Sequence, residues 1–199
     1  MNSLNNGPVD ANSLETSVMK LWQEFLARYF DGGQHGVGAV ENVQFPKAEL
    51  HFQQSAVSEP LGAEVGGVAI TLVGSEGSRH KWTSWENVDA PSGGAPDGTG
   101  GAPVLPVLPR TRQEICYERV DWNFWIRATG TNARAACKLA SDRLFGLLNN
   151  KAETHALGAK GIARVRATAP RAIQETDYVL RLVTCGATLR YPILSQVEG

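Results

Sequence analysis

The stretch that decides the fold is residues 114–150, EICYERVDWNFWIRATGTNARAACKLASDRLFGLLNN. In its first half apolar and polar residues alternate, which is the pattern of a β-strand with one buried face. The face predicted to be buried carries Cys116, Glu118, Val120, Trp122, Phe124, Ile126 and Ala128. The opposite face carries Tyr117, Arg119, Asp121, Asn123, Trp125 and Arg127. We therefore expect Trp122, Phe124 and Ile126 to point into a hydrophobic core.

A helix is predicted to follow this strand and to end near Leu148. Residues 128–132, ATGTN, end the strand, and Thr131 or Asn132 is placed to cap the helix by accepting a hydrogen bond from a free backbone N–H. The apolar residues of the helix recur with a period of about 3.6 residues. They are Ala133, Ala136, Cys137, Ala140, Leu144, Leu147 and Leu148. Because the first half of this set is small, the helix can lie close against a sheet.

Residues 1–12 are polar and are predicted to be a flexible lead-in to a single domain that spans residues 13–199. Asn12 and Glu15 have the spacing of a capping box, and an amphipathic helix is expected from there to about Phe30. Asp31, Gly32 and Gly33 end it. Extended segments follow at 40–45, 48–57 and 65–73. The last is apolar on both faces, which favours a central place in a sheet.

Residues 74–113 are predicted to form a long Gly/Pro-rich loop or arm. Its middle, residues 90–103, reads APSGGAPDGTGGAP, and such a segment cannot bury enough apolar surface to offset the entropy of ordering it. Residues 79–85, RHKWTSW, are basic and aromatic and have two interpretations. They form an arm whose aromatics bind a pocket of a partner, or they extend the preceding strand so that Trp82 and Trp85 cover the domain's own core. The acidic pI argues against a third interpretation, a platform for single-stranded nucleic acid.

The C-terminal part is predicted to close the sheet. Residues 149–158 form a connection that is partly helical at most, and 161–169 form a strand whose outer face is basic through Arg164 and Arg166. A long strand follows at 178–189, and because the link between these two strands is short, they are expected to be antiparallel neighbours. The predicted fold class is α+β, with a mainly antiparallel sheet, two principal helices packed on one face and the long Gly/Pro-rich loop.

Composition limits the classes of function. A chain of 199 residues can bury a full core, and a net charge of -1 with a pI near 6.4 argues against attraction of the whole molecule to nucleic acid. The three cysteines lie inside predicted elements, so we expect them to be buried and reduced. The N-terminus lacks the pattern of a secretory signal, and no apolar stretch approaches the roughly 20 residues that cross a bilayer. We therefore expect a protein made and kept inside a cell, with no membrane partner.

The sequence contains none of the common catalytic motifs, such as a nucleophile elbow, a phosphate loop or a zinc-binding His-Glu-x-x-His. The four histidines are widely separated, which does not favour a metal site. We therefore expect no catalytic, cofactor-binding or metal-binding residues. We also expect that the protein is not an enzyme. The candidate interaction residues are basic or aromatic: Arg79, Lys81, Trp82, Trp85, Arg110, Arg112, Arg164 and Arg166. The basic face of residues 161–169 has Arg171 nearby. It has three interpretations: a surface that contacts DNA, a surface that contacts an acidic neighbour, or a face exposed to solvent.

The order of elements resembles that of the tail terminator (tail completion) proteins of long-tailed bacteriophages. The resemblance lies in layout and covers Leu14 to Ile193. It is carried by three stretches, ERVDWNFWIRATGTNARAACKLASDRLFGLLNN at 118–150, GIARVRAT at 161–168 and DYVLRLVTCGATLRYPIL at 177–194. In that family a strand is followed by a capped helix rich in Ala and Leu and then by two closing antiparallel strands.

The resemblance implies a structural role in the virion, in the tail or neck, after assembly in the host cytoplasm. Copies of the chain would form a homohexameric ring that ends polymerisation of the tail tube and contacts the tail tube protein and the neck or head-tail connector proteins. DNA would pass through the lumen without specific binding. Another phage neck or tail-tube component, such as a head-tail stopper or a tube subunit, is an alternative. From a different class, a small-ligand-binding or catalytic α+β domain would be favoured by a deep pocket that holds His80, Trp82 and a carboxylate together.

Overall fold

The computed structural model describes Leu4 and residues 11–53, 67–74, 80–88, 111–173 and 179–193. Its helices are α1 (Ala11–Ala27), α2 (Ala133–Asn149) and α3 (Lys151–Ala159). Its strands are β1 (Gln34–Val37), β2 (Val40–Gln44), β3 (Glu49–Gln53), β4 (Val68–Gly74), β5 (His80–Val88), β6 (Thr111–Ala128), β7 (Ile162–Ala167), β8 (Arg171–Ile173) and β9 (Val179–Pro192). None of the described helices is long and apolar enough to cross a lipid bilayer.

The main sheet is organised around β6 and β9, which pair antiparallel from Ile115 opposite Pro192 to Ala128 opposite Val179. The second half of β6 also pairs with β4, and its first half pairs with β5. On its other side β9 pairs with β8 and β7. All of these pairs are antiparallel, and β3 adds to the edge of β4 as a parallel strand. The predicted α+β class with a mainly antiparallel sheet is therefore confirmed.

The alternation predicted for β6 is confirmed by burial. Every residue of its apolar face from Cys116 to Ala128 is buried, including Glu118, while the opposite face is exposed or half-buried. Trp22 of α1 makes edge-to-face contacts with Trp122 and Phe124 at ring-centroid distances of 6.3 and 5.5 Å. Cys137 of α2 donates its thiol to the carbonyl oxygen of Ile126 at 3.2 Å. Both principal helices therefore pack on the same face of the sheet, as predicted.

The β1–β2 hairpin lies outside the main sheet and contacts the helices. Glu153 of α3 accepts hydrogen bonds from the Tyr29 hydroxyl and from the Gly38 N–H, the latter at 2.9 Å. Arg143 of α2 donates from Nε to the carbonyl oxygen of Gln44 at 3.0 Å. The sequence predicted only the second strand of this hairpin, because residues 31–39 carry turn-forming glycines and no apolar alternation.

The long loop predicted over residues 74–113 is wrong at its ends, where Gly74 belongs to β4 and residues 111–113 belong to β6, and it is wrong for residues 80–88. These residues form β5, paired with β6 from His80 opposite Arg119 to Val88 opposite Thr111. The segment lacks the alternation of a half-buried strand because residues 80–84 of β5 are exposed on both faces, so the backbone ladder rather than burial defines it. Residues 75–79 and 89–110 of the predicted loop lie outside the described residues.

Other boundaries also differ from the sequence predictions. Residues 149–158 were expected to be a connection that is partly helical at most, but residues 151–159 form α3, whose N-terminus is capped because the Asn150 side chain accepts from the Ala152 N–H at 3.0 Å. The helix α1 ends at Ala27, three residues before the predicted end, and Arg28 to Phe30 form a turn. Asn132 is the N-cap residue of α2, but its side chain makes no capping hydrogen bond.

The thiols are predicted to be unreactive in the folded protein. Cys116, Cys137 and Cys185 are free and buried, and burial raises the pKa of Cys137 to about 11 and that of Cys185 to about 12 because a buried thiolate loses its hydration. The thiolate is the reactive form. At neutral pH we expect Ellman's reagent to modify the native thiols on the order of 100-fold more slowly than the same thiols in concentrated guanidinium chloride. Rapid modification of the native protein would contradict the burial of Cys137 and Cys185 in this core.

Candidate interaction site on the open face of the sheet

The face of the sheet opposite the helices carries polar and aromatic side chains in cross-strand rows. Residues directly opposite each other in neighbouring strands lie on the same face. The pairing of β5, β6, β9 and β7 therefore gives three successive rows: Trp82, Tyr117 and Arg190; His80, Arg119 and Thr188; Asp121, Gly186 and Arg166. Residues distant in the chain thus meet on one surface.

A groove with a volume of about 620 Å³ crosses this surface. Its floor is low because β9 presents Thr184, Gly186 and Thr188, which are small, between the longer side chains of β6 and β7. Asp121 leans over the glycine, since a Cβ atom built on Gly186 would lie 3.0 Å from Asp121 Oδ1. A larger residue at position 186 would therefore fill the groove and displace the carboxylate.

Arginines stand on both sides of the groove. Arg119 lies on β6, in the same row as His80 of β5, and Arg164 and Arg166 lie on β7. All three arginines are exposed. Among the residues that line the groove, Asp121 is the carboxylate that faces them. The groove as a whole therefore favours an anionic ligand.

A β-bulge in β7 sets the positions of Arg164 and Arg166. Ala163 pairs with Thr188 and Arg166 with Gly186, so β7 has one more residue than β9 between these pairs. The extra residue lets both Ile162 and Ala167 face the core, and Arg164 adopts a φ of 54°. A left-handed conformation at a non-glycine residue costs about 1–2 kcal/mol, and bulges of this kind often aim side chains at functional sites. Burial agrees with the strand and the basic outer face predicted there, since Arg164 and Arg166 are exposed and Ala163, Val165 and Ala167 are not; the bulge in the pairing was not predicted.

An aromatic pair lies at the β5 end of the groove. The rings of Trp82 and Tyr117 stack with centroids 5.5 Å apart and planes inclined by 7°. His80 lies against Trp82 with a centroid distance of 6.3 Å. Trp82 remains 40% exposed, so the indole presents a flat apolar surface next to the guanidinium of Arg119.

The other face of β5 carries a second feature, on the helix side of the sheet. Lys81 places Nζ 3.4 Å from Oε2 of the fully buried Glu118, which also accepts from the Tyr191 hydroxyl at 2.9 Å. Trp85 lies on the same face of β5 as Lys81 and is 59% exposed. The interpretation of these residues as strand is therefore correct for residues 80–85, but the two tryptophans do not cover the domain's own core.

The structure brings together some of the candidate residues identified from sequence. Trp82, Arg164 and Arg166 line the groove, whereas Lys81 and Trp85 lie on the opposite face of β5. Arg112 lies in β6 opposite Asn87. Arg79 and Arg110 lie outside the described residues. Sequence reasoning missed Arg119 and Asp121 as site residues, although both stand on the polar face that it assigned to β6.

His80, Trp82 and Asp121 do line one groove, which is the arrangement expected of a ligand-binding domain. All three residues are exposed, so the groove is an open binding surface rather than an enclosed active site. Among the described residues, no group of three or more His, Cys, Asp or Glu side chains is placed to hold a metal ion. Comparison with models of known protein families and with curated protein sequences finds no match to this chain.

Proposed function

We propose that this protein is a structural component of a bacteriophage tail or neck, and specifically a tail terminator. In this function it forms a homohexameric ring that ends polymerisation of the tail tube and joins the tail to the head. The order of strands and helices from Leu14 to Ile193 supports this assignment through its resemblance to terminator proteins. The observation that carries it is the pairing of β5 with β6, because β5 lies at the edge of the described sheet and exposes Trp85.

The edge of β5 needs a partner. In the described part of the sheet this nine-residue strand pairs with β6 alone, so its other row of backbone N–H and C=O groups has no strand partner among the described residues. Natural proteins protect long edge strands because they otherwise pair with other chains. A neighbouring copy can pair a strand with the edge of β5 or cover that edge, and either arrangement is a head-to-tail contact. Repetition of such a contact around a closed rotation produces a ring.

Trp85 is the side chain best placed to anchor that contact. Tryptophan is enriched among the residues that dominate binding energy at interfaces, and 59% exposure leaves most of this indole in water when the chain is alone. The carboxylate of Glu118 fixes Lys81 on the same face, which gives the contact a charged rim around an apolar centre. The tail tube protein and the neck proteins would then bind the two flat ends of the ring, and DNA would pass through its lumen without sequence-specific binding.

The oligomeric state tests this function directly. Light scattering on the purified chain should give a mass several times the 21.4 kDa of one chain, and negative-stain electron microscopy should show rings. Trp85→Ala should raise the concentration at which the ring dissociates by at least about 10-fold, since anchor residues contribute about 2 kcal/mol or more. Leu139→Ala, on an exposed part of α2, is the matched control and should leave the ring intact. A chain that stays monomeric at high concentration would contradict a ring-forming role.

A head-tail stopper or a tube subunit is the nearest alternative within the same class. Such proteins also combine sheets with extended arms, so the fold does not separate them from a terminator. Labelling the chain in intact particles does: a terminator lies as one ring at the head-proximal end of the tail tube, and a tube subunit lies along its whole length.

A further inference from the structure

We propose that the groove on the open sheet face binds single-stranded nucleic acid, with phosphates on the arginines and a base on Trp82. This site is independent of the ring contact, because Trp82 and Trp85 lie on opposite faces of β5. Whole-molecule charge argues against nucleic-acid binding, since the net charge is -1. The local charge of the groove differs, and it decides what binds there.

The phosphate contacts come from both walls. Arg119 stands on one side of the floor formed by Gly186 and Thr188, and Arg164 and Arg166 stand on the other. Guanidinium groups present a rigid fork of N–H donors that matches phosphate oxygens. A chain that lies in the groove would meet cationic donors on both sides, and the bulge at Arg164 keeps two of these on one short strand.

The stacking contact comes from the aromatic pair at the β5 end. Tyr117 supports one side of the Trp82 ring at 5.5 Å, and the indole is still 40% exposed. An unpaired base can stack on such a surface whatever its identity, whereas bases in a duplex have their faces covered by their neighbours. The aromatic platform therefore favours a single strand over a duplex.

The carboxylate of Asp121 makes the groove selective for a nucleotide over simpler anions. A carboxylate on the groove floor repels inorganic phosphate and the side chains of an acidic peptide, but it accepts hydrogen bonds from the amino groups of bases. Cations on both walls, an acceptor at the floor and an aromatic surface at one end match a ligand that carries phosphates, N–H donors and a flat ring. Nucleotides in a flexible strand have all three.

Fluorescence anisotropy with a labelled single strand of about ten nucleotides tests the proposal on the full chain at low salt. We expect the logarithm of the binding constant to fall linearly with the logarithm of the salt concentration. The slope should be about −2, because three arginines neutralise about three phosphates. Arg164→Ala combined with Arg166→Ala should weaken binding at least ~10-fold and reduce the slope to about −0.7. Trp82→Ala should also weaken binding at least ~10-fold, whereas Trp82→Phe, which keeps an aromatic face, should retain most of it.

The matched control removes the same charge from the helix side. Arg134 on α2 and Lys151 on α3 are exposed, so replacing both by alanine should leave the affinity and the salt slope unchanged. Four outcomes would overturn the proposal: no binding of the single strand, equal binding of a duplex of the same length, equal competition by a polyglutamate peptide, or binding of a free mononucleotide as tight as that of the strand. Equal loss of binding in the control variant would overturn it as well. A ring that fails to form while the groove binds would reject the proposed function and leave this site standing.

Discussion

Trp22→Ala should destabilise the protein by about 3–5 kcal/mol, the usual range for truncating a fully buried large aromatic residue. Trp22 is completely buried between α1 and the sheet. Its ring makes edge-to-face contacts with Phe25, Trp122 and Phe124 at centroid distances of 6.1, 6.3 and 5.5 Å. Removing it opens a cavity at the point where α1 meets β6, and the surrounding side chains refill such a cavity only in part. Guanidinium denaturation followed by circular dichroism measures the change.

Trp85→Ala is the matched control for this substitution because the chemical change is the same. Its indole is 59% exposed, so the free energy of unfolding should change by less than about 0.5 kcal/mol when both variants are compared as monomers. If Trp22→Ala were as mild as Trp85→Ala, α1 would not pack on Trp122 and Phe124 of the sheet.

Gly161→Ala is the second substitution with a large expected effect, about 2–5 kcal/mol of lost stability. Gly161 has a φ of +104°, which L-residues rarely adopt. An added Cβ atom would lie 2.7 Å from the carbonyl oxygen of Arg190 and 2.8 Å from Cβ of Leu4. The backbone cannot easily move away, because the Arg190 N–H donates to the Gly161 carbonyl at 2.8 Å and ties the turn before β7 to β9. Thermal unfolding of the variant gives the size of the loss.

Gly158→Ala provides the contrast, three residues earlier in the chain. It lies in α3, and nothing stands within 4 Å of the position that its Cβ would take. Alanine is the better helix former by up to about 1 kcal/mol, so this variant should be as stable as the wild type or more so. A Gly161→Ala protein with unchanged stability would contradict the close approach of Gly161 to the carbonyl oxygen of Arg190 in the turn between α3 and β7.

The centre of the fold could be predicted from sequence because its two elements have strong periodic patterns. The alternation from Cys116 to Ala128 reflects a strand with one buried face, and the spacing from Ala133 to Leu148 reflects a helix with one buried stripe. Both patterns are local, so they require no knowledge of the partners. The capping bond of Asn132 was not formed, because the presence of a capping residue does not fix the rotamer of its side chain.

The candidate site could be predicted only in part, because it depends on contacts between distant strands. His80 meets Arg119, and Asp121 meets Gly186, only through the register of β5, β6 and β9. Nothing in residues 80–84 indicates that register, since a strand exposed on both faces leaves no hydrophobic pattern. The pair Arg164 and Arg166 was recognised because it lies within one short segment, but the bulge that sets the arginines depends on hydrogen bonds to β9.

The position of β9 inside the sheet has a consequence for synthesis of the chain. A ribosome makes β6, β7 and β8 before β9, which pairs with one edge of β6 and with both β7 and β8. Until β9 is complete, one edge of β6 and the strands β7 and β8 lack this partner, and contacts between segments as far apart in sequence as β6 and β9 form slowly. Completion of this sheet therefore waits for translation to pass residue 192.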